Sequence, residues 1–504
     1  MQSRSDEFSI LNPGSREFVP LESVPFYQDL NLDQVIDRMS LRWGRDMKKY
    51  YRYLPSSPDE VSYRRMVYGD IRKEEVYSSL IKFTEDLDAV GKLRLEKEKA
   101  RIPMQKCVWH IREIGAYCSA YEALEKSLDG AGLASEGMQE FHRILKGILE
   151  SGGYRQLRER IDRIMEQIRK MRFIITYDKD RISVEPGTLE GEGAYEEMLK
   201  EKIGKEIRHL QNPFIADPTL TELENSCLEI LEKKQPKFFA EIKAASDQSS
   251  GYERPVLRRF EREIIFYLSF CTLQRDMENA GYTFSTPTAS AEKRMEAKGL
   301  YDLALAMNCM SSGEEIVSND MCYEKGERFF VLTGPNQGGK TTFARSLGQL
   351  VYLSLMGLDV PAESANVPFF PALQTHFSVE ESVETGRGKL KEELVRLAPM
   401  MADHQKGTFV VINELFTTAA SYDAEIMGKN VLEHFTRLGC MGIYVTHLRE
   451  LTTIRDGVVS LRAVLGDDNI PTFKIVRGEA DDSACAESVV NKYRLTYSQL
   501  KERL

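Results

Sequence analysis

The stretch "GPNQGGKTT" at 334–342 constrains this chain more than any other segment. It fits G-x-x-x-x-G-K-[ST], with Gly334, Gly339, Lys340 and Thr341 at the fixed positions. It follows the apolar run 329–332 and opens a helical pattern near Thr341, the strand–loop–helix context in which such a loop binds phosphate. Glycines let backbone N–H groups close around phosphate oxygens, and the helix N-terminus adds the positive end of its dipole. Lys340 would then reach the β- and γ-phosphates, and the Thr341 hydroxyl would ligate Mg2+. A glycine turn with no ligand is the competing reading, and it leaves the flanking strand and helix unexplained.

A phosphate loop of this kind needs a partner. A second strand ending in acids should lie beside the loop's own strand, its first acid holding Mg2+ through water and a following Glu polarising the attacking water. The run "FVVI" at 409–412 ends on Asn413-Glu414 and fills this place. Glu414 is the candidate base. Asn413 stands where Asp is expected; its carbonyl oxygen can meet a metal-bound water but lacks the charge that strengthens the contact. Slow, Mg2+-dependent hydrolysis is the expectation. A third strand in "IYVTHLREL" ends on Thr446-His447, where a histidine can hydrogen-bond a γ-phosphate or the attacking water, although a lone histidine is more often structural. Between these pieces, Gly386-Arg387-Gly388 precedes a helical pattern. Such an entrance can take an anion, but glycine turns at helix starts are common.

The rest of the chain reads differently. From about Ala306, short β-branched runs alternate with helical segments, which indicates a parallel α/β sheet. Residues 1–26 carry Pro13, Gly14, Pro20 and Pro25 and read as an extended arm. Residues 27–305 read as a helical core and lever with one small β pair near 173–186, and helices are expected to run to about Glu292. In this region Leu157, Ile161, Ile164, Ile168 and Met171 form a heptad seam. Arginines on the other faces of that helix fit a solvated surface or, alternatively, a contact to a phosphate backbone. "PVLRRFEREIIFYLSF" reads as an amphipathic helix with Val256, Phe260, Ile264, Tyr267 and Leu268 on one side. The last run, "AESVVNKYRLTYSQLKERL", reads as a broken apolar-periodic helix.

A length of 504 residues suits two to four domains. A net charge of −10 argues against a protein that coats nucleic acid by bulk charge, while leaving room for a local basic surface. The eight cysteines show no CxxC spacing, and no apolar run approaches the ~20 residues that span a bilayer. A cytoplasmic protein with no membrane contact is expected.

Taken in order, "LTGPNQGGKTT", "VVINELFTTAASYDA" and "YVTHLREL" resemble the ATPase domain of the MutS family of DNA mismatch-repair proteins, within the ABC class of P-loop ATPases. "MGLDVPAESANV" and "TGRGKLKEEL" sit where that family has its Val-Pro-Ala strand entry and its signature loop. The likeness covers about 300–465 clearly and 27–300 loosely.

The resemblance implies a homodimer that holds ATP and Mg2+ between two ATPase domains (306–504 here, with a C-terminal dimerisation segment) and clamps double-stranded or branched DNA. It implies that Gly334, Pro335, Asn336, Gln337, Gly338, Gly339, Lys340, Thr341 and Thr342 line the phosphates, with Thr341, Asn413 and Glu414 near the metal. Glu414, His447 and Lys340 would be catalytic. Ile316 or Val317 would pack on adenine, and Gly386, Arg387 and Gly388 would reach the partner subunit's ATP.

Four departures stand out. Asn413 replaces the family's Asp, and Gly388 its signature Ser. Ile316 and Val317 lack the usual aromatic platform, and only about 26 residues precede the core-like region, so the family's mismatch-reading and connector domains are expected to be absent. The tripeptides at 83–85 and 239–241 match the family's Phe-x-Glu wedge by letter, yet both sit inside helical patterns and read as core positions. Clamping on structured DNA without classical mismatch reading is therefore expected. The alternative is an ATP-gated scaffolding protein that does not read DNA.

Overall fold

The computed structural model describes residues 8–14, 24–44, 47–170, 173–178, 181–186, 222–249, 251–289, 294–378, 388–402, 406–454, 457–466, 470–479 and 501. Helices α1 (Pro25–Asp29), α2 (Leu32–Trp43), α3 (Lys48–Tyr51), α4 (Pro58–Ile71), α5 (Glu74–Lys99), α6 (Pro103–Leu128), α7 (Glu136–Leu149) and α8 (Gly152–Lys170) lead to a hairpin, β1 (Phe173–Asp178) and β2 (Arg181–Pro186). Helices α9 (Glu222–Lys234), α10 (Pro236–Gln248) and α11 (Pro255–Asn279) follow. The chain forms two compact units, Met1–Ile10 with Asp70–Arg262 and Leu11–Gly69 with Glu263–Leu504, a different cut from the expected 27–305 and 306–504. None of the described helices is long and apolar enough to cross a membrane.

The first unit is helical around one apolar core. Ile161, Ile164 and Ile168 of α8 are fully buried there with Val108, Ile111 and Ile114 of α6, and Leu157 packs at the margin. The heptad seam is thus a core seam up to Ile168; Met171 lies outside the described residues. The basic faces of α8 are largely engaged within the chain. Arg158 pairs with Glu122 and Asp162, each at 3.1 Å, Arg163 with Glu241 at 3.8 Å and Lys170 with Glu166 at 2.9 Å. Phe83 and Phe239, the two wedge look-alikes, are buried core residues of α5 and α10.

The second unit carries β3 (Met295–Leu300), α12 (Leu303–Ser312), β4 (Asn319–Tyr323), β5 (Phe329–Thr333), α13 (Lys340–Leu355), β6 (Ser364–Asn366), β7 (Leu373–Phe377), α14 (Lys389–Leu397), β8 (Phe409–Asn413), α15 (Ser421–Arg437), β9 (Met441–Val445), β10 (Val458–Leu465) and β11 (Pro471–Arg477). Six strands run in the order β11-β10-β5-β9-β8-β7, and a smaller sheet runs β4-β3-β6. From β10 to β7 the pairing is parallel, and β11 is antiparallel to β10. All five residues in each of β5, β8 and β9 are buried, as a parallel sheet covered on both faces requires. Phe329, Val331, Val410, Ile412 and Tyr444 form a core with Leu397 at the end of α14 and with Val431, Leu432 and Phe435 of α15. The alternate strand residues face the other way, toward α13.

Four expectations need correction. The strand ending in Asn413-Glu414 is not beside the loop's strand: β9 lies between β5 and β8. Apolar patterns identify strands but not their order, and α15 returns the chain so that β9 enters the middle.

The helical reading to Glu292 also fails, because α11 ends at Asn279 and Met295–Leu300 is a strand. "MEAKGL" has no β-branched residue, so pairing with β4 and β6 overrides a weak local preference.

The helix α11 is not one-sided throughout. Ile265, Phe266, Phe270 and Cys271 are as buried as Ile264 and Leu268, because its second half is enclosed.

Finally, the first 26 residues are not all an extended arm. Helix α1 begins at Pro25, and Ile10, Leu11 and Asn12 are buried. Arg64 anchors Leu11 and Asn12, donating from Nε to the Leu11 carbonyl and from a terminal nitrogen to Asn12 Oδ1, each at 2.9 Å.

Candidate functional site

The loop 334–339 joins β5 to α13 at the carboxyl end of the parallel strands. Gly339 is the N-cap of α13 at φ +84°, a conformation that suits glycine. Gly334 and Gly338 pack on Ala463 of β10, where an added Cβ would come within 3.0 and 3.1 Å of its methyl carbon. Lys340 is folded onto the loop, donating from Nζ to the carbonyls of Gly334 at 2.9 Å and Pro335 at 2.8 Å.

A cavity of 430 Å3 opens at this loop. It brings together Asn336, Gln337, Gly339, Lys340, Thr341 and Thr342 with Ile316, Val317 and Glu414, which are far apart in sequence. The volume lies within the range of small-ligand pockets.

Strand β8 delivers the next pieces. Thr341 Oγ1 lies 3.1 Å from Asn413 Oδ1 and donates to it. Glu414 follows at φ +56°, with its N–H bonded to the Val445 carbonyl of β9 at 2.9 Å. That tie turns its side chain toward the end of β9, where His447 Nε2 sits 3.4 Å from Glu414 Oε1. The side chains of Glu414 and His447 are partly exposed, 30% and 51%, so both are open to a ligand.

Strain concentrates here. Among the described residues, five non-glycines have positive φ; Gln337, Glu414, Phe416 and Phe473 lie in or next to the site, and the fifth is Asn31. Each such residue stores on the order of 1–2 kcal/mol, which the surrounding structure must hold.

Phe473 is the residue that sequence reasoning missed. The expected adenine neighbours, Ile316 and Val317, do line the cavity, but an aromatic wall is present as well, supplied by β11. Phe473 is 47% exposed at φ +57° and packs against Gly339. Asn319 fixes the strand just after it, donating to the Phe473 carbonyl at 3.1 Å and accepting from Ile475 N–H at 2.8 Å. The available signal in the sequence is one aromatic residue in the short β-branched run at 472–476.

Of the remaining expected residues, Gly388 is the N-cap of α14 and does not line the cavity. Gly386, Arg387 and nearly all of the C-terminal run lie outside the described residues.

The fold and the site together define a helix-rich chain whose α/β domain presents a P-loop sequence between a central parallel strand and its helix. Residues 330–477 match the profile of MutS domain V. DNA mismatch repair proteins MutS are similar over longer stretches. That of Symbiobacterium thermophilum is 29% identical over 277 residues, 53% of this chain and 31% of that protein. That of Fervidobacterium nodosum is 24% identical over 277 residues, 53% of this chain and 32% of the relative. That of Thermosipho melanesiensis is 27% identical over 176 residues, 34% of this chain and 22% of the relative. The chain therefore spans less than a third of the length of these relatives, and its similarity to MutS proteins is carried by this α/β domain and the residues that precede it.

Proposed function

We propose that this chain is a MutS-like ATPase that holds ATP and Mg2+ in the 430 Å3 cavity and couples nucleotide state to clamping on double-stranded or branched DNA. The observation that carries the reading is the convergence of the loop 334–342, the Asn413-Glu414 pair and His447 from three parallel strands. The donor set suits a hard cation, since the Thr341 hydroxyl and the Asn413 amide oxygen face each other beside a carboxylate. When bound, Mg2+ would neutralise charge on the phosphates. Lys340 would leave the Gly334 and Pro335 carbonyls for the phosphate oxygens. Glu414 would take a proton from the attacking water, and His447 would hold Glu414 or the γ-phosphate in line. Phe473 and the Ile316–Val317 segment would enclose the base. With Asn in place of a charged ligand, hydrolysis would be slow and the ATP-bound form long-lived.

DNA clamping and homodimerisation rest on the similarity to MutS proteins. The test is filter binding of duplex and branched DNA by the full chain with and without ATP; the reading expects ATP-sensitive binding that weakens steeply with salt. The same assay bears on an ATP-gated scaffold that binds protein rather than DNA. The ion pairing of α8 favours that alternative, because it occupies arginines that could otherwise contact phosphates.

A further inference from the structure

Helix α14 carries a buried carboxylate that the reading above does not use. Glu393 is 3% exposed, and its Oε2 accepts the Phe416 N–H at 3.1 Å. Phe416 lies two residues beyond Glu414, and both have left-handed backbones, at φ +61° and +56°. A turn with two such residues does not hold itself. The carboxylate of Glu393 holds one side of it, and the Glu414 N–H bond to Val445 holds the other.

The same helix is tied to the sheet edge from below. His376 on β7 is fully buried, and its Nε2–H donates to the Glu393 carbonyl at 3.2 Å. Register pairs His376 with Ile412, one residue before Asn413. Glu393 is thus held through its main chain and grips the Glu414 turn through its side chain. A buried N–H left without an acceptor is costly, so the bond from Phe416 to Glu393 holds the turn.

We infer that Glu393 is the positioning residue for Glu414, linking the placement of the catalytic carboxylate to the placement of α14. The helix is capped by Gly388, about one and a half turns before Glu393, so a shift at the start of α14 reaches the Glu414 turn through this side chain. Glu393 touches no reacting atom. The inference gives the ATPase reading its means of control and rests on that reading for its consequence, while the geometry it asserts can be tested separately.

The experiment is hydrogen–deuterium exchange on the full chain, comparing wild type with Glu393→Gln, which keeps an acceptor for the Phe416 N–H, and Glu393→Leu, which removes it. Steady-state hydrolysis and nucleotide affinity are measured alongside. Faster exchange is expected in Glu393→Leu for peptides covering 414–418, with 329–345 unchanged, and near-wild-type exchange in Glu393→Gln. Turnover in Glu393→Leu should fall on the order of 10²-fold at unchanged nucleotide affinity, as for a misplaced catalytic group. In a Glu414→Gln background the same change should have little further effect. Unchanged exchange at 414–418, or a loss of protection across the whole sheet, would overturn the inference. Failure of Glu393→Leu to fold, with exchange at 414–418 unaltered in Glu393→Gln and protection lost there alone in Glu393→Ala, would support it. Absence of turnover in wild type would count against the ATPase reading, and the exchange data would still decide the role of Glu393.

Discussion

Thr341 Oγ1 and Asn413 Oδ1 lie 3.1 Å apart, although 72 residues separate them in sequence. The contact joins the first turn of α13 to the tip of β8. A carboxylate at 413 would accept the same hydroxyl and add a charge. On the proposed reading, Asn413→Asp therefore tightens Mg2+ dependence and raises turnover severalfold, since a charged partner roughly doubles the strength of such contacts. A Mg2+ titration of phosphate release measures both; identical curves for the two proteins would remove Asn413 from metal binding.

Glu414→Gln preserves shape and removes the base. Turnover should drop on the order of 10²–10⁴-fold while ATP affinity stays near wild type. Isothermal titration with ATP beside a phosphate-release assay separates the two quantities.

Phe473→Ala removes the aromatic wall of the cavity. Loss of stacking on a base predicts about tenfold weaker nucleotide binding, whereas Phe473→Tyr should bind within twofold of wild type, given that aromatic pairs contribute roughly 0.5–1.5 kcal/mol. A fluorescent ATP analogue in equilibrium titration reads this directly.

Gly442 on β9 faces the Val410 carbonyl of β8, and a Cβ there would meet that oxygen far inside contact distance. Gly442→Ala should therefore destabilise the sheet by about 1–3 kcal/mol or more, seen as a lower Tm in thermal denaturation.

His376 adds a pH dependence. Burial, with Arg396 nearby, lowers its folded pKa from 6.5 to about 4. The unfolded chain takes up this proton near pH 6.5 and the folded chain only near pH 4. The contribution to stability is thus full above about 6.5 and is lost as pH falls toward 4, by at most about 3 kcal/mol. Urea midpoints measured from pH 7 to pH 4 should fall more steeply in wild type than in His376→Phe.

The loop 334–342, the Asn413-Glu414 tip and the Thr446-His447 tip were legible because each couples an apolar strand to a few polar residues at fixed spacing. Strand order was not, because nothing in "FVVIN" or "GIYVT" states which strand is its neighbour. Phe473 was hidden for a related reason: its role depends on β11 folding back beside the loop, a contact across more than 130 residues of sequence. The strand at Met295–Leu300 was missed because its residues disfavour a strand locally and gain it only by pairing with β4 and β6.

The most direct measurement is the steady-state rate of ATP hydrolysis by the full chain with Mg2+, alone and with a panel of duplex, mismatched and branched DNA. The account predicts slow Mg2+-dependent turnover that is abolished by Lys340→Ala and Glu414→Gln and changed by duplex or branched DNA, with no special response to a mismatch. Turnover that survives both substitutions, or no ATP binding at all, would contradict it.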